Sequence, residues 1–152
     1  MNTIGIRAKP GEVTFAVLNA KDRRIANVET VKIPKALQTP DALKYVRNNI
    51  LDIIREYEIS RAGLRVTESS SKTLSIARIE IEGVIKEAFA SSSLNAYYCG
   101  QISTIAAKIG MQRADFKPYV EGVKNFDDVE NWSDLGREER EAVFAALGAV
   151  NA

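Results

Sequence analysis

The chain has 152 residues, 45% of them hydrophobic and 27% charged, with a formal net charge of +1 at pH 7. These values suit one globular domain with its own core, and they exclude binding of nucleic acid through global charge alone. There is no histidine, which removes Ser-His-Asp and Cys-His catalysis and His-ligated zinc.

No apolar run approaches the ~18 residues of a membrane span. The N-terminus enters a strand pattern without a basic leader and apolar stretch, so a cytoplasmic location is expected. Cys99 is the only cysteine, so no internal disulfide forms. It sits in the apolar run Leu94–Cys99 and is expected to be a buried, inert thiol.

Residues 3–8 form a short apolar run, and Lys9-Pro10-Gly11-Glu12 follows; Pro-Gly predicts a tight turn. Val13–Leu18 is rich in β-formers and predicts a second strand. Ala20–Arg24 reads as the next hairpin connection and Ile25–Ile33 as a third strand. Two short turns predict an antiparallel meander. Thr39-Pro40-Asp41 reads as a helix start, with Thr39 as N-cap and Pro40 at the first helical position. Leu43, Val46, Ile50, Ile53, Ile54 and Tyr57 repeat at three and four, which predicts a helix over 40–58.

The run 62–68 predicts a fourth strand ending on Glu68. A helix is predicted over 73–90, with Leu74, Ala77, Ile81, Val84, Ile85 and Ala88 on its inner face. Ile76, Ile79 and Phe89 widen that face, and Glu82 with Lys86 forms an i,i+4 pair on the exposed side. Residues 94–99 predict a fifth strand, with at least one of Tyr97 and Tyr98 in the core. Gln101–Ile109 predicts a short helix stopped by Gly110. Residues 111–132 are irregular and hold Pro118, Gly122 and the acidic run Asp127-Asp128-Val129-Glu130. Tyr119, Phe126 and Trp132 in this segment are expected to cap the domain's own core, the alternative being a contact surface. A last helix is predicted from Ser133, as N-cap, to Leu147.

Helices between the later strands predict parallel pairing. The expected architecture is a single α/β domain over 1–152. It has a mixed sheet of about five strands, an antiparallel β1-β2-β3 meander followed by β-α alternation, with helices on both faces.

Several segments match a known pattern in the same order. Ile4-Gly5-Ile6 opens the first strand as apolar-Gly-apolar, and Leu64-Arg65-Val66-Thr67-Glu68 carries an acid at the end of the fourth. Ala77–Ile85 is a glycine-containing helix. Gly100–Ile109, with Gly110, Ala114 and Lys117 beyond it, follows the fifth strand, and Arg137–Val143 forms an acidic C-terminal helix. In this order they resemble the RNase H-like superfamily, and most closely its RuvC-like branch, that of Holliday-junction resolvases. The resemblance implies the fold described above. In active relatives it also implies four acids that bind two divalent metals, which activate water for phosphodiester hydrolysis.

Carried over to this chain, Glu68 matches the second acid, and Glu138 and Glu141 match the spacing of an Asp-x-x-Asp pair. With Leu135, Ala142, Val143, Ala146 and Val150 as the inward face of the helix, Glu139 falls nearest its centre. Glu138 lies on the flank and Glu141 points away. The candidate catalytic set is therefore Glu68, Glu138, Glu139 and Glu141. Glu68, Glu138 and Glu139 would be the ligands for Mg²⁺ or Mn²⁺ in an active enzyme. Arg7 stands where the resemblance places the first acid. A guanidinium cannot ligate a cation and repels one, so Arg7 is expected to pair with Glu68 on the neighbouring strand.

The favoured reading is a catalytically degenerate RuvC-like module that binds DNA, RNA or a protein partner. Lys72, Arg78, Lys108, Arg113 and Lys117 are its candidate phosphate contacts, helped by the hydroxyls of Ser69, Ser70 and Ser71; each of these cations also reads as ordinary solvated charge. One alternative is a Mg²⁺- or Mn²⁺-dependent endonuclease with a rearranged acidic site. The other is a structural subunit of a larger assembly, including a homodimer. Neither a phosphate-binding P-loop nor a dinucleotide-binding glycine motif is present.

Overall fold

The Pro10-Gly11 dipeptide closes a tight hairpin, placing Lys9 opposite Glu12 in the computed structural model, which describes residues 1–152. This joins β1 (Asn2–Lys9) to β2 (Glu12–Asn19), and a second turn joins β2 to β3 (Arg24–Lys32); both pairings are antiparallel. Helix α1 (Thr39–Glu56) then returns the chain to β4 (Ile59–Arg65), which lies parallel to β1. Helix α2 (Ile76–Ser91) leads to β5 (Ala96–Gly100), parallel to β4. The chain ends with α3 (Ile102–Ile109), α4 (Arg113–Val120), a 3-10 turn (Trp132–Asp134) and α5 (Arg137–Ala149). The sheet order is β3-β2-β1-β4-β5. It is the mixed, five-stranded α/β sheet expected from the pattern. No helix is long and apolar enough to cross a membrane.

Strand alternation divides the core in two. Ile4, Ile6, Phe15, Val17, Ala62 and Leu64 face α1 and α2 in one cluster. On the other face, Ala16 and Leu18 join α3, α4 and a fully buried stretch of α5. Phe116, Phe126, Trp132 and Phe144 pack edge-on and tilted there, with ring centroids 4.8 to 5.4 Å apart. Tyr119 joins them at 5.3 Å from Phe126. The aromatics of the irregular segment thus close the domain's own core, as expected.

Helix α5 crosses the sheet so closely that there is no room for a side chain at position 5 of β1. A Cβ at Gly5 would lie 1.9 Å from the carbonyl oxygen of Ala142, and one at Gly63 would lie 2.5 Å from that of Ala145. Thr3 fixes the register by donating its hydroxyl to Ala146 O at 2.9 Å. Moving along β1, Thr3 meets Ala146, Gly5 meets Ala142, Arg7 meets Glu141 and Lys9 meets Glu138. The helix therefore runs antiparallel to β1, with its N-terminus over the C-terminal ends of β1 and β4.

Several sequence expectations are corrected. The fourth strand ends at Arg65 rather than Glu68, because Thr67 leaves the ladder and donates its N–H to the Glu82 carboxylate at 3.1 Å. Helix α1 is capped by Gln38, so Thr39 is already helical. Helix α2 begins at Ile76, where the Ser75 hydroxyl accepts the N–H of Arg78. Leu74, Ile76 and Ile79 are consequently exposed, while Glu82 is buried. Residues 113–120 are helical despite Pro118, because the helix ends two residues beyond it and a single interior bond is lost. Helix α5 is capped at Gly136 rather than Ser133. Cys99 is exposed, because Tyr98 and Gly100 take the inward positions of β5. Desolvation beside α2 still pushes its thiol up, so exposure does not make it a nucleophile.

The close crossing generates a prediction. Replacing Gly5 with Ala forces a methyl group into the backbone of α5 and should lower stability by at least about 3 kcal/mol. The same change at Gly11, where a Cβ meets open space, should be within about 0.5 kcal/mol of wild type. Urea denaturation of both variants measures the contrast.

Candidate functional site

Parallel pairing sets Arg7 of β1 directly beside Arg65 of β4. Both lie on the face that α5 covers, and two like charges at neighbouring positions repel. Helix α5 answers them with Glu141, whose carboxylate Oε2 lies 2.8 Å from Arg7 Nε and 3.2 Å from Arg65 Nε. Arg137, one helical turn earlier, approaches the other oxygen at 3.8 Å. Arg65 and Glu141 are each only 4% exposed. Burial pushes the Glu141 carboxyl above the usual carboxylate range, while Arg65, Arg137 and Arg78 pull it down and Glu138 pushes it further up. Nε of Arg65 and Oε2 of Glu141 have no well-aligned hydrogen-bond partner, so this contact holds chiefly by charge.

Glu68 forms the second half of the cluster. Its Oε2 accepts from Arg65 Nη1 at 3.0 Å and from the backbone N–H of Ile102, the first residue of α3, at 3.0 Å. Its Oε1 lies 3.6 Å from Arg113, the first residue of α4. Arg65 thus bridges both carboxylates while its guanidinium lies 5.9 Å from the centre of the Phe116 ring. It also donates to the carbonyl of Val66. Beside this group, Glu82 accepts from the N–H and hydroxyl of Thr67 and from Arg78 Nε at 3.1 Å.

The candidate residues read from the sequence divide accordingly. Glu68 and Glu141 come together, but through Arg65 rather than a shared opening. Arg7 pairs with Glu141 and not with Glu68, which corrects the expected partner. Glu141 does not point away: α5 is buried on every side from Arg140 onward, so a single inward face misplaces it. Glu138 lies outside the cluster, 3.4 Å from Lys9. Glu139 turns back to accept the Gly136 N–H at 2.7 Å, a helix-capping role.

Among the candidate phosphate contacts, Arg113 and Lys117 are exposed and share one face of α4, and Lys72 is exposed in the loop after β4. Arg78 is held by Glu82. Lys108 lies at the other end of α3, donating to Asn151 O and resting 4.9 Å from the Tyr98 ring centre, so it does not join the group.

Sequence reasoning missed Arg65, Arg137 and Glu82. Two signals were available: Arg65 lies two residues after Gly63 on the same strand face, and Arg137 precedes Glu141 by four.

Mg²⁺ and Mn²⁺ prefer sites built from several free oxygens. No group of three or more Asp, Glu, His or Cys side chains converges here. Both carboxylates of the cluster are already bound by guanidinium groups, and a cation would have to enter among four arginines. The donor set does not fit a divalent metal.

The path of the chain matches solved structures closely. Thermus thermophilus RuvC superposes with a TM-score of 0.72 at 11% identity, over 97% of this chain and 92% of that one. The fold is RNase H-like, of the RuvC type. T. thermophilus RuvC in complex with a Holliday junction substrate gives 0.70 at 12% identity, covering 97% of this chain and 91% of that one. The fowlpox virus Holliday junction resolvase gives 0.51 at 10% identity, covering 99% and 96%. No family model matches the sequence, and no curated protein does. At these identities the RuvC-like likeness fixes the architecture, and the chemistry rests on the residues of this chain.

The clasp makes a stability prediction. Glu141→Ala removes the carboxylate paired with Arg7 and one of the two that hold the buried Arg65, and should lose about 3–5 kcal/mol. Arg137→Gln, at the exposed rim, should stay within about 0.5 kcal/mol of wild type. Equal losses in the two variants, measured by denaturant melts, would contradict a clasp centred on Arg65 and Arg7.

Proposed function

We propose that this chain is a RuvC-like nucleic-acid-binding module that does not hydrolyse its ligand. One observation carries the reading: Arg7 and Arg65 close on Glu141 at the strand ends, where the resemblance calls for acids and metal. The fold supplies the second support. Two of the similar structures are Holliday junction resolvases by description or complex, and branched DNA is the natural first ligand to try. The third support is local charge. Arg113 and Arg137 are exposed at the cluster, and Lys72 and Lys117 are exposed on the adjoining loop and on α4, although the whole chain carries only +1. Phosphate contacts of this kind position a duplex without reading its sequence.

Leu74, Ile76 and Ile79 leave an apolar surface at the start of α2, which suits pairing with a second copy. Light scattering should then give about twice the monomer mass of 16.8 kDa, and Ile76→Glu with Ile79→Glu should return the monomer.

The central test combines binding with turnover. Purified protein should bind a labelled four-way junction with an affinity that falls steeply with salt, and should leave the junction, single-stranded DNA and RNA uncut in Mg²⁺ or Mn²⁺. Cleavage that disappears in Glu68→Gln would replace this reading with that of a metal-dependent endonuclease. A salt-independent interaction would point instead to a protein partner.

A further inference from the structure

The mismatch between this cluster and a divalent metal has a chemical consequence. Four guanidiniums, Arg7, Arg65, Arg113 and Arg137, are linked through two carboxylates, Glu68 and Glu141. Four positive against two negative charges leave the linked group at +2. Glu138, the nearest further acid on α5, is drawn off by Lys9 at 3.4 Å.

The four arginines are not equivalent. Arg65 is buried and Arg7 nearly so, with side chains 5% and 11% exposed, and both are spent on the clasp. Arg113 and Arg137 have side chains 62% and 58% exposed. Each makes one loose ion pair, at 3.6 Å and 3.8 Å, with a carboxylate that an inner arginine already holds more tightly. A guanidinium carries five N–H donors in a planar fork, so both keep most of theirs free. They are also the first residues of α4 and α5, where the helix field favours an anion. Glu68 and Glu141 therefore each hold one outer arginine at the exposed rim of the cluster, with their free donors available to a ligand.

We infer that this cluster is a metal-free phosphate site: Arg113 and Arg137 take the phosphodiester of a nucleic acid directly. The site has positive charge of its own, supplied by side chains, where a nuclease of this fold would need bound cations. The inner pair anchors the carboxylates, the carboxylates orient the outer pair, and the outer pair meets the phosphate. This inference rests on the nucleic-acid-binding reading above and adds to it the residues and the independence from metal.

The test measures junction binding by fluorescence anisotropy across a salt series, in EDTA and in Mg²⁺ at matched ionic strength. Wild type should bind equally well in both. Arg113→Gln with Arg137→Gln should reduce the salt slope by about two, the value for two lost phosphate contacts. Arg113→Lys with Arg137→Lys should keep the slope and weaken affinity several-fold, since ammonium groups lack the bidentate fork. Lys21→Gln, at the far β2–β3 turn, should leave the affinity at wild-type level. Melts of all variants should match wild type, because the altered side chains are exposed.

Binding lost in EDTA and restored by Mg²⁺ would overturn the inference while leaving nucleic-acid binding intact. An unchanged slope in the double glutamine variant would do the same. Absence of binding to any nucleic acid under all conditions would remove the underlying reading, and this inference with it.

Discussion

Two arginines side by side on adjacent parallel strands are the constraint around which the site is organised. Arg7 and Arg65 share a register position and a sheet face, and burial strengthens their mutual repulsion. A sheet end of this kind is stable only with an anion over it. Glu141 provides one from a different layer of the fold, and Glu68 provides the second from the loop beyond β4. The local charge pattern is therefore a joint property of β1, β4, α5 and that loop.

The placement of Glu141 depends in turn on glycine. With no side chain at Gly5 or Gly63, the backbone of α5 settles against the strands. Thr3 then locks the register through Ala146. A shift of one residue along α5 would rotate Glu141 by about a quarter turn, leaving Arg7 without its carboxylate and Arg65 with Glu68 alone. Packing, register and electrostatics agree on one arrangement, as expected where a buried charge must be compensated. Arg140 extends the logic by donating to the carbonyls of Val120, Trp132 and Ser133, tying the segment before α5 to the helix. With α5 fixed in this way, Arg137 is held beside Glu141 while Arg113 is held beside Glu68.

Much of the architecture was readable from local pattern. The Pro-Gly turn, the β-branched second strand and the three-four repeat of α1 each encode their own element, because turn geometry and amphipathic periodicity are properties of short segments. The errors fell where a long-range partner overrides local preference. Ile76 and Ile79 read as inner-face residues but are exposed. Glu82 read as exposed, and it is buried because Thr67 and Arg78 need its carboxylate. Glu141 was misplaced because a one-faced helix was assumed where sheet, α3 and α4 enclose α5.

The sequence by itself determined the order of elements, the absence of histidine chemistry, and the presence of a cation at position 7. Those are matters of residue type and spacing along the chain. Which carboxylate answers Arg7, which arginines stay outside, and which acids are drawn into capping or surface pairs were decided only by tertiary structure. Residues 7, 65, 68, 113, 137 and 141 lie on five separate segments, and charge acts through space. Their interaction exists only once parallel strand pairing and the glycine-guided crossing of α5 bring them within a few ångströms.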